Sequence, residues 1–293
     1  MLKTNISQLV CQSVIGEITS PLGGVNPYRI NPDGHSDIYP GVGGITYNVR
    51  IGDPACGLFA DHVEPGVSIS NFTQVQGQPG PNRALNLFSC VGNVAKIVSG
   101  QAQGKTGRVT GKHGGIDHVL VDFAPEVLDE LVIGDKIQIR AFGCGLSLAD
   151  FPSIKIMNLD PALLAVMGLK KLAKGQLQVP VTHVVPARIM GSGLGHSHSH
   201  AGDYDIQLFD KPTVEEFGLA DLKLGDIVAI QDADATYGRI YKTGAMVIAV
   251  IVHSDCVLAG HGPGAMVAMA SKEGLIVPRL DNRANLRNYF EKL

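Results

Sequence analysis

The chain has 293 residues, 45% hydrophobic and 17% charged, with 36 glycines, 16 prolines and no tryptophan. This fits a globular protein of one large or two ordinary domains, rich in turns and short strands. A net charge of −3 argues against nucleic acid as the main partner, and no run reaches the ~18 uninterrupted apolar residues of a membrane span.

The N-terminus lacks a basic segment followed by a long apolar run, so no signal peptide is read there. The cysteines (Cys11, Cys56, Cys90, Cys144 and Cys256) are scattered, odd in number and without a CxxC pair. A reduced, cytoplasmic setting is expected.

Residues 8–18 read as an opening strand. Residues 21–71 form a loop-rich run that carries Asp33, His35, Asp37, Asp53, Asp61, His62 and Glu64. Long irregular runs in compact domains are often site builders. Turn chemistry of Asp and Asn accounts for most of these groups; His35 with Asp37, and Asp61 with His62, stand out as candidates.

Residues 93–143 read as a small β module: a strand at 93–100, a glycine-turned hairpin over 107–123, and a short helix over 124–131 with Pro125 in its first turn. A strand over 131–143 follows, entered by a Gly-Asp turn. The module resembles small SH3-like barrels with a glycine-lysine loop. Lys105, Arg108 and Lys112 give that loop a basic edge where RNA could bind, but a solvated hairpin edge suits the acidic whole better. Gly100 to Thr106 has one residue too few for a P-loop, and no helix follows it, which removes nucleotide hydrolysis.

A second unit begins near Phe151, dividing the chain into 1–150 and 151–293. Residues 153–159 read as a strand. Asp160 caps a helix with Pro161 at its first position and Gly175 beyond its end. Residues 176–191 return as strand, and 205–209 and 222–234 read as strands too. Residues 244–255 form a long apolar strand buried on both faces. The tail from Leu280 reads as an amphipathic helix. LVIGDKIQI (131–139) and LKLGDIVAI (222–230) echo one another, as a duplicated unit or as two uses of one turn. The fold class expected is mainly β with a few helices (α+β), in two β-rich parts.

The densest chemistry is GSGLGHSHSHAGDYDIQ, residues 191–207. In an extended segment His196, His198 and His200 leave the backbone on one face, and neutral imidazole is the commonest metal ligand. Neighbours in that row stand roughly 6.6 Å apart, so two of them can share an ion and the third cannot without a bend. The expected site is a divalent metal, Zn²⁺, Mn²⁺ or Fe²⁺, on two of the three histidines, completed by His253 or His261 and an aspartate such as Asp205. Asp203 and Asp255 are the candidate acid–base or orienting groups. Arg239 is the candidate clamp for a substrate carboxylate, and the turn around His261, GHGPG, offers backbone N–H groups to an anion. Asp232 and Asp234 alternate on a strand and could face one side. Cys256 reads as a buried thiol rather than a nucleophile.

NPDGHSDIYPGVGGITYNVRIGD, ADHVEPGVSI, GKTGRVTGKHGG, GSGLGHSHSHAGDYDIQ, VHSDC and AGHGPG follow one another in an order and spacing that resemble a prokaryotic family. It is catalogued as domain of unknown function 4438, and the resemblance covers nearly the whole chain. It implies a two-part, β-rich protein and brings no activity with it. DYDIQL and LGDIVAIQDAD are weakly similar to acetamidase/formamidase enzymes, whose GD-x-H arrangement is absent here. Together these readings predict a metal-dependent hydrolase or lyase acting on a small polar, anionic substrate, as a homo-oligomer without nucleic-acid or membrane partners. The alternative is a non-enzymatic metal- or small-molecule-binding oligomer.

Overall fold

The structure is a computed structural model that describes residues 2–23, 26–75 and 80–293; Gly24 and Val25 of the loop-rich run lie outside the described residues. The N-terminal part is a closed antiparallel barrel of six strands: β1 (Gln12–Ile18), β2 (Gly66–Ser70), β3 (Val94–Ile97), β4 (Thr106–His113), β5 (His118–Asp122) and β6 (Lys136–Ala141). Pairing runs β1–β6–β3–β4–β5–β2 and returns to β1, with Glu17 opposite Ser70. The module expected over 93–143 supplies four of these strands. The other two come from the opening strand and from the end of the loop-rich run. Closure pairs each of these six strands on both sides, and Ile45–Thr46 adds a short strand against Gly66–Val67.

Period-two patterning fills the barrel. In β6, Ile137, Ile139 and Ala141 are buried while Lys136, Gln138 and Arg140 face out. In β5, Val119 and Val121 point into the barrel, whereas Leu120 packs into the core of the second part. The outer face of β4 and β5 is therefore an internal wall of the molecule. Gly111 in β4 lies against Val252, so closely that a Cβ there would overlap the valine side chain. The helix α1 (Pro81–Phe88) buries Leu85 in the barrel core.

The second part is built on a sheet of β7 (Lys155–Ile156), β8 (His183–Pro186), β9 (Tyr204–Asp205), β10 (Ile227–Asp234), β11 (Ile240–His253) and β12 (Gly264–Ser271). The order is β7–β12–β11–β10–β8, with β9 also pairing β12. The apolar run 247–253 is buried throughout, as a strand covered on both faces requires. Among the described residues no helix is long and apolar enough to cross a membrane.

Two expected helices are shorter than predicted. Asp160 does cap one, accepting from the Ala162 N–H at 2.7 Å, but the helix spans only Pro161–Val166. Gly168, at φ +75°, ends it, and Lys170–Lys171 becomes a strand paired with Leu177–Val181. The C-terminal helix is confined to Leu286–Phe290. The sequence echo is a shared turn. Asp135 accepts from the Val132 N–H and Asp226 from the Lys223 N–H, and both turns pass through a positive-φ glycine. The strands that follow enter different sheets.

Candidate functional site

The end of the barrel's β4–β5 hairpin meets the end of β11 and the loop around β9. His113 closes β4 and His118 opens β5, directly opposite one another in register. The loop leading into β2 adds Asp61, His62 and Glu64. From the second part come His253 at the end of β11, Asp203 beside β9, Asp205 within it, and His261 just before β12. All of these are buried except His261, which is partly exposed.

Each of four imidazoles has its Nδ1 committed. The fully buried Glu64 carboxylate takes the His113 Nδ1–H at 2.5 Å and approaches His118 Nδ1 at 3.0 Å. It also accepts from Ser68 Oγ at 2.5 Å and from the Gly43 N–H at 2.7 Å. Burial alone would raise the pKa of Glu64, but His113 and His118 outweigh it and hold the group well below the usual carboxylate range. His62 Nδ1 lies 3.1 Å from Asp61 Oδ1. His253 Nδ1–H donates to the Ser254 carbonyl at 2.8 Å. These partners occupy Nδ1 and aim Nε2 of His62, His113 and His253 into the cluster. The three rings cluster, with centroids 4.3 Å apart for His113 and His253 and 4.9 Å for His62 and His253.

Carboxylate oxygens face those nitrogens. His253 Nε2 is 2.7 Å from Asp203 Oδ2 and 3.7 Å from Asp205 Oδ1. Yet His253 Nε2, Asp203 Oδ2 and Asp205 Oδ2 are all buried without a hydrogen-bond partner. A ring nitrogen 2.7 Å from a buried carboxylate oxygen requires positive charge there, from a proton on Nε2 or a cation held by both. The electrostatics point the same way. Burial would raise Asp203 and Asp205, but His253 for the first, and His261 and His62 for the second, bring both below the ordinary aspartate value. His62 is driven down by burial but pushed up to about 12 by its hydrogen bonds to Asp205 and Asp61. Donor atoms of His62, His113 and His253 lie within 4.8 Å of one another, as do those of Asp203, Asp205 and His253, and those of His62, Cys256 and His261.

Gly264 makes the room. It is the register partner of both Asp205 and His253, and a Cβ on it would overlap Asp203 Oδ2 and the His253 ring.

The histidine tract takes a different place from the one expected. Turns at Gly195 and Gly202, with φ +81° and +71°, replace an extended strand. None of His196, His198 and His200 shares a cluster of converging donor atoms with His253 or His261 among the described residues. The His196 and His198 rings contact each other edge to face at 4.6 Å and form part of a cavity wall. The tract's backbone is what the fold grips. The His200 carbonyl accepts from Lys112 Nζ at 2.8 Å, and the Ser199 carbonyl from Asn158 at 2.9 Å. Arg239 donates to the carbonyls of Gly193, Gly202 and Asp203. Arg239 therefore holds the loop that carries Asp203 and Asp205, in place of the expected clamp on a substrate carboxylate.

Other candidates are turn formers. Asp255 accepts from the Gly57 N–H at 3.0 Å. Asp232 sits at φ +61° in a bulge and accepts from Gly244, and Asp234 accepts from Thr236, so the pair does not present one acidic face. His35 and Asp37 are exposed. The basic edge of the 100–115 loop is internally engaged: Lys105 pairs with Glu130, Arg108 donates to the Gly92 carbonyl, and Lys112 is fully buried. Cys256 is buried, with its Sγ 2.8 Å from Asp61 Oδ1.

The cluster forms the floor of a cavity of about 570 Å³, with Asn82, Arg83 and Asn86 of α1 on one wall and His196 and His198 on another. That volume suits a small molecule.

Comparison with protein families matches residues 28–165 to the N-terminal domain, and residues 166–290 to the C-terminal domain, of a domain of unknown function, DUF4438. The chain belongs to this family. A solved structure titled "Crystal structure of TM1086" is similar over 98% of this chain and 99% of that one, with 47% sequence identity and a TM-score of 0.92. Comparison with curated proteins returns no match. In this DUF4438 chain, sequence reasoning singled out His253, His261, Asp203 and Asp205 of the buried cluster, and Asp61 with His62 on its edge. It passed over His113, His118 and Glu64. The signal for the first two was present in KHGGIDH, because a tight hairpin sets its two flanking histidines opposite one another.

Proposed function

We propose that the chain is a metal-dependent enzyme acting on a small polar, anionic substrate, with a divalent ion held by His113, His253, Asp203 and Asp205. The observation that carries this reading is the approach of His253 Nε2 to Asp203 Oδ2 at 2.7 Å without a hydrogen bond, while His253 Nδ1–H is committed to Ser254. Ligand atoms ~2.0–2.2 Å from one ion stand about 3–3.5 Å apart, close to the spacing of these donors. Mixed imidazole and carboxylate donors suit Zn²⁺, Mn²⁺ or Fe²⁺. Such an ion polarises a carbonyl or activates a water, which supports hydrolysis, of a C–N bond in the first instance, or a lyase reaction.

The remaining walls supply recognition. Arg83 on α1 presents a cation to the cavity and attracts an anionic substrate into it. Asn86 gives its Nδ2–H to the Asn82 and Asp117 carbonyls, which leaves Oδ1 buried and unpaired, an acceptor for a substrate N–H or O–H. His198, kept neutral by burial and by the charges of its neighbours, lines the same cavity and can take up a proton.

Metal analysis of the purified chain after loading with Zn²⁺ or Mn²⁺ tests the reading. His253→Ala and Asp203→Ala are expected to lose metal that His196→Ala and His198→Ala retain. Full metal content in His253→Ala would sink the assignment. With an amide or hydroxy-acid substrate in hand, Arg83→Ala is expected to raise KM with little change in kcat.

A further inference from the structure

Asp205 has its two oxygens in two different places. Oδ1 faces His253 Nε2 at 3.7 Å, within the donor set already described. Oδ2 faces the other way, 2.9 Å from His261 Nδ1 and 3.7 Å from His62 Nε2. The triangle closes with His62 Nε2 and His261 Nδ1 at 3.2 Å. Edges of that length are those of a coordination polyhedron, where donors ~2.0–2.2 Å from an ion stand about 3–3.5 Å apart.

Three donor atoms from separate segments converge on one point. His62 Nδ1 faces Asp61, so Nε2 is the ring nitrogen aimed into the triangle. Asp205 is 5% exposed, and its Oδ2 lacks hydrogen-bond geometry although two imidazole nitrogens lie within 3.7 Å of it. A cation among the three would engage all of them at once.

We infer that the cluster is a binuclear centre: a second divalent ion binds His62, His261 and Asp205 Oδ2, and Asp205 bridges it to the ion on His113, His253, Asp203 and Asp205 Oδ1. This inference rests on the metal reading above and goes beyond it. It assigns His62 and His261 to the second ion and favours hydrolysis over a lyase reaction, since paired ions about 3.5–4 Å apart stabilise both the attacking and the leaving oxygen. His261, the one partly exposed donor, puts the second ion on the cavity side, where substrate and water have access.

The test uses the full chain, stripped with a chelator, reloaded with Mn²⁺ and desalted, and reads manganese per chain together with the electron paramagnetic resonance spectrum. Wild type is expected to hold two ions per chain with the multiline signal of a spin-coupled pair. His261→Ala, and His261→Gln as a second variant at the same partly exposed position, are expected to hold one ion with an isolated-ion spectrum and unchanged melting of the stripped protein. One ion in wild type, unaltered in His261→Ala, overturns the second site and leaves the first standing. Two ions without spin coupling overturn the Asp205 bridge. No bound ion in wild type, with Zn²⁺ as well as Mn²⁺, removes the underlying metal reading itself.

Discussion

Gly264 has an ordinary backbone conformation, so its identity is set by what its neighbours need. It stands opposite both Asp205 and His253, and a methyl group there would occupy the space into which Asp203 Oδ2 and the His253 ring project. Gly264→Ala is expected to weaken metal binding by ~10–100-fold, at a cost of ~1–3 kcal/mol in stability from overpacking. Metal titration and chemical denaturation measure the two effects separately. Glu64→Gln keeps the shape but replaces an acceptor-only carboxylate that serves two imidazoles, so a ~10–100-fold loss of metal affinity is expected from competitive chelator titration. Lys112 gives a pH signature. Burial lowers its pKa from 10.5 to about 8, so between those values the unfolded chain holds a proton that the folded chain lacks. The contribution of this lysine to the unfolding free energy therefore rises with pH through that window, by on the order of 3 kcal/mol at 1.36 kcal/mol per pH unit, while groups of raised pKa such as His62 contribute the opposite sign. In urea unfolding, the stability difference between wild type and Lys112→Met is expected to shift in favour of wild type from pH 7.5 to pH 10. All three stand in other roles in the sequence: Gly264 in the GHGPG turn, Glu64 among turn-forming acids and Lys112 on a basic hairpin edge. A glycine at a strand start, a glutamate before a proline and a lysine in a hairpin have ordinary local explanations, and only long-range packing gives them others.

Strands were legible because period-two burial is written into the chain: the alternation in β6 and the unbroken apolar run in β11 needed no tertiary information. Helix lengths were less so. The pattern after Asp160 continues past Gly168, and what ends the helix there is a left-handed turn followed by a strand partner in Leu177–Val181. The histidine tract misled for a related reason. Its alternation has the period of a strand, but its glycines turn it, and Lys112, Asn158 and Arg239 hold it by its carbonyls. Those carbonyls set the register of β9 and hence of both aspartates. Arg239→Ala leaves several of them unpaired and is expected to cost ~3 kcal/mol or more. It should also speed amide hydrogen exchange across residues 193–205 while leaving the β1–β6 barrel protected.

The proposed ligand positions run from His62 to His261, and both β-rich parts contribute, so metal binding there would report on the assembled molecule. Ions that bind only the folded state raise its stability by about 2.7 kcal/mol at one hundred times the dissociation constant. The melting midpoint is therefore expected to climb with added Zn²⁺ or Mn²⁺ and to fall on chelation, a response absent in His253→Ala. The wall between the parts has a consequence during synthesis. The last barrel strand is complete at Ala141, and residues 142–293 emerge afterwards. At ~5–20 residues per second that interval lasts roughly 10–30 s. Throughout it, the outer face of β4 and β5, with Leu120 and the groove at Gly111, has no sheet to cover it. During that interval the nascent barrel is expected to present an apolar face that its own C-terminal half later covers.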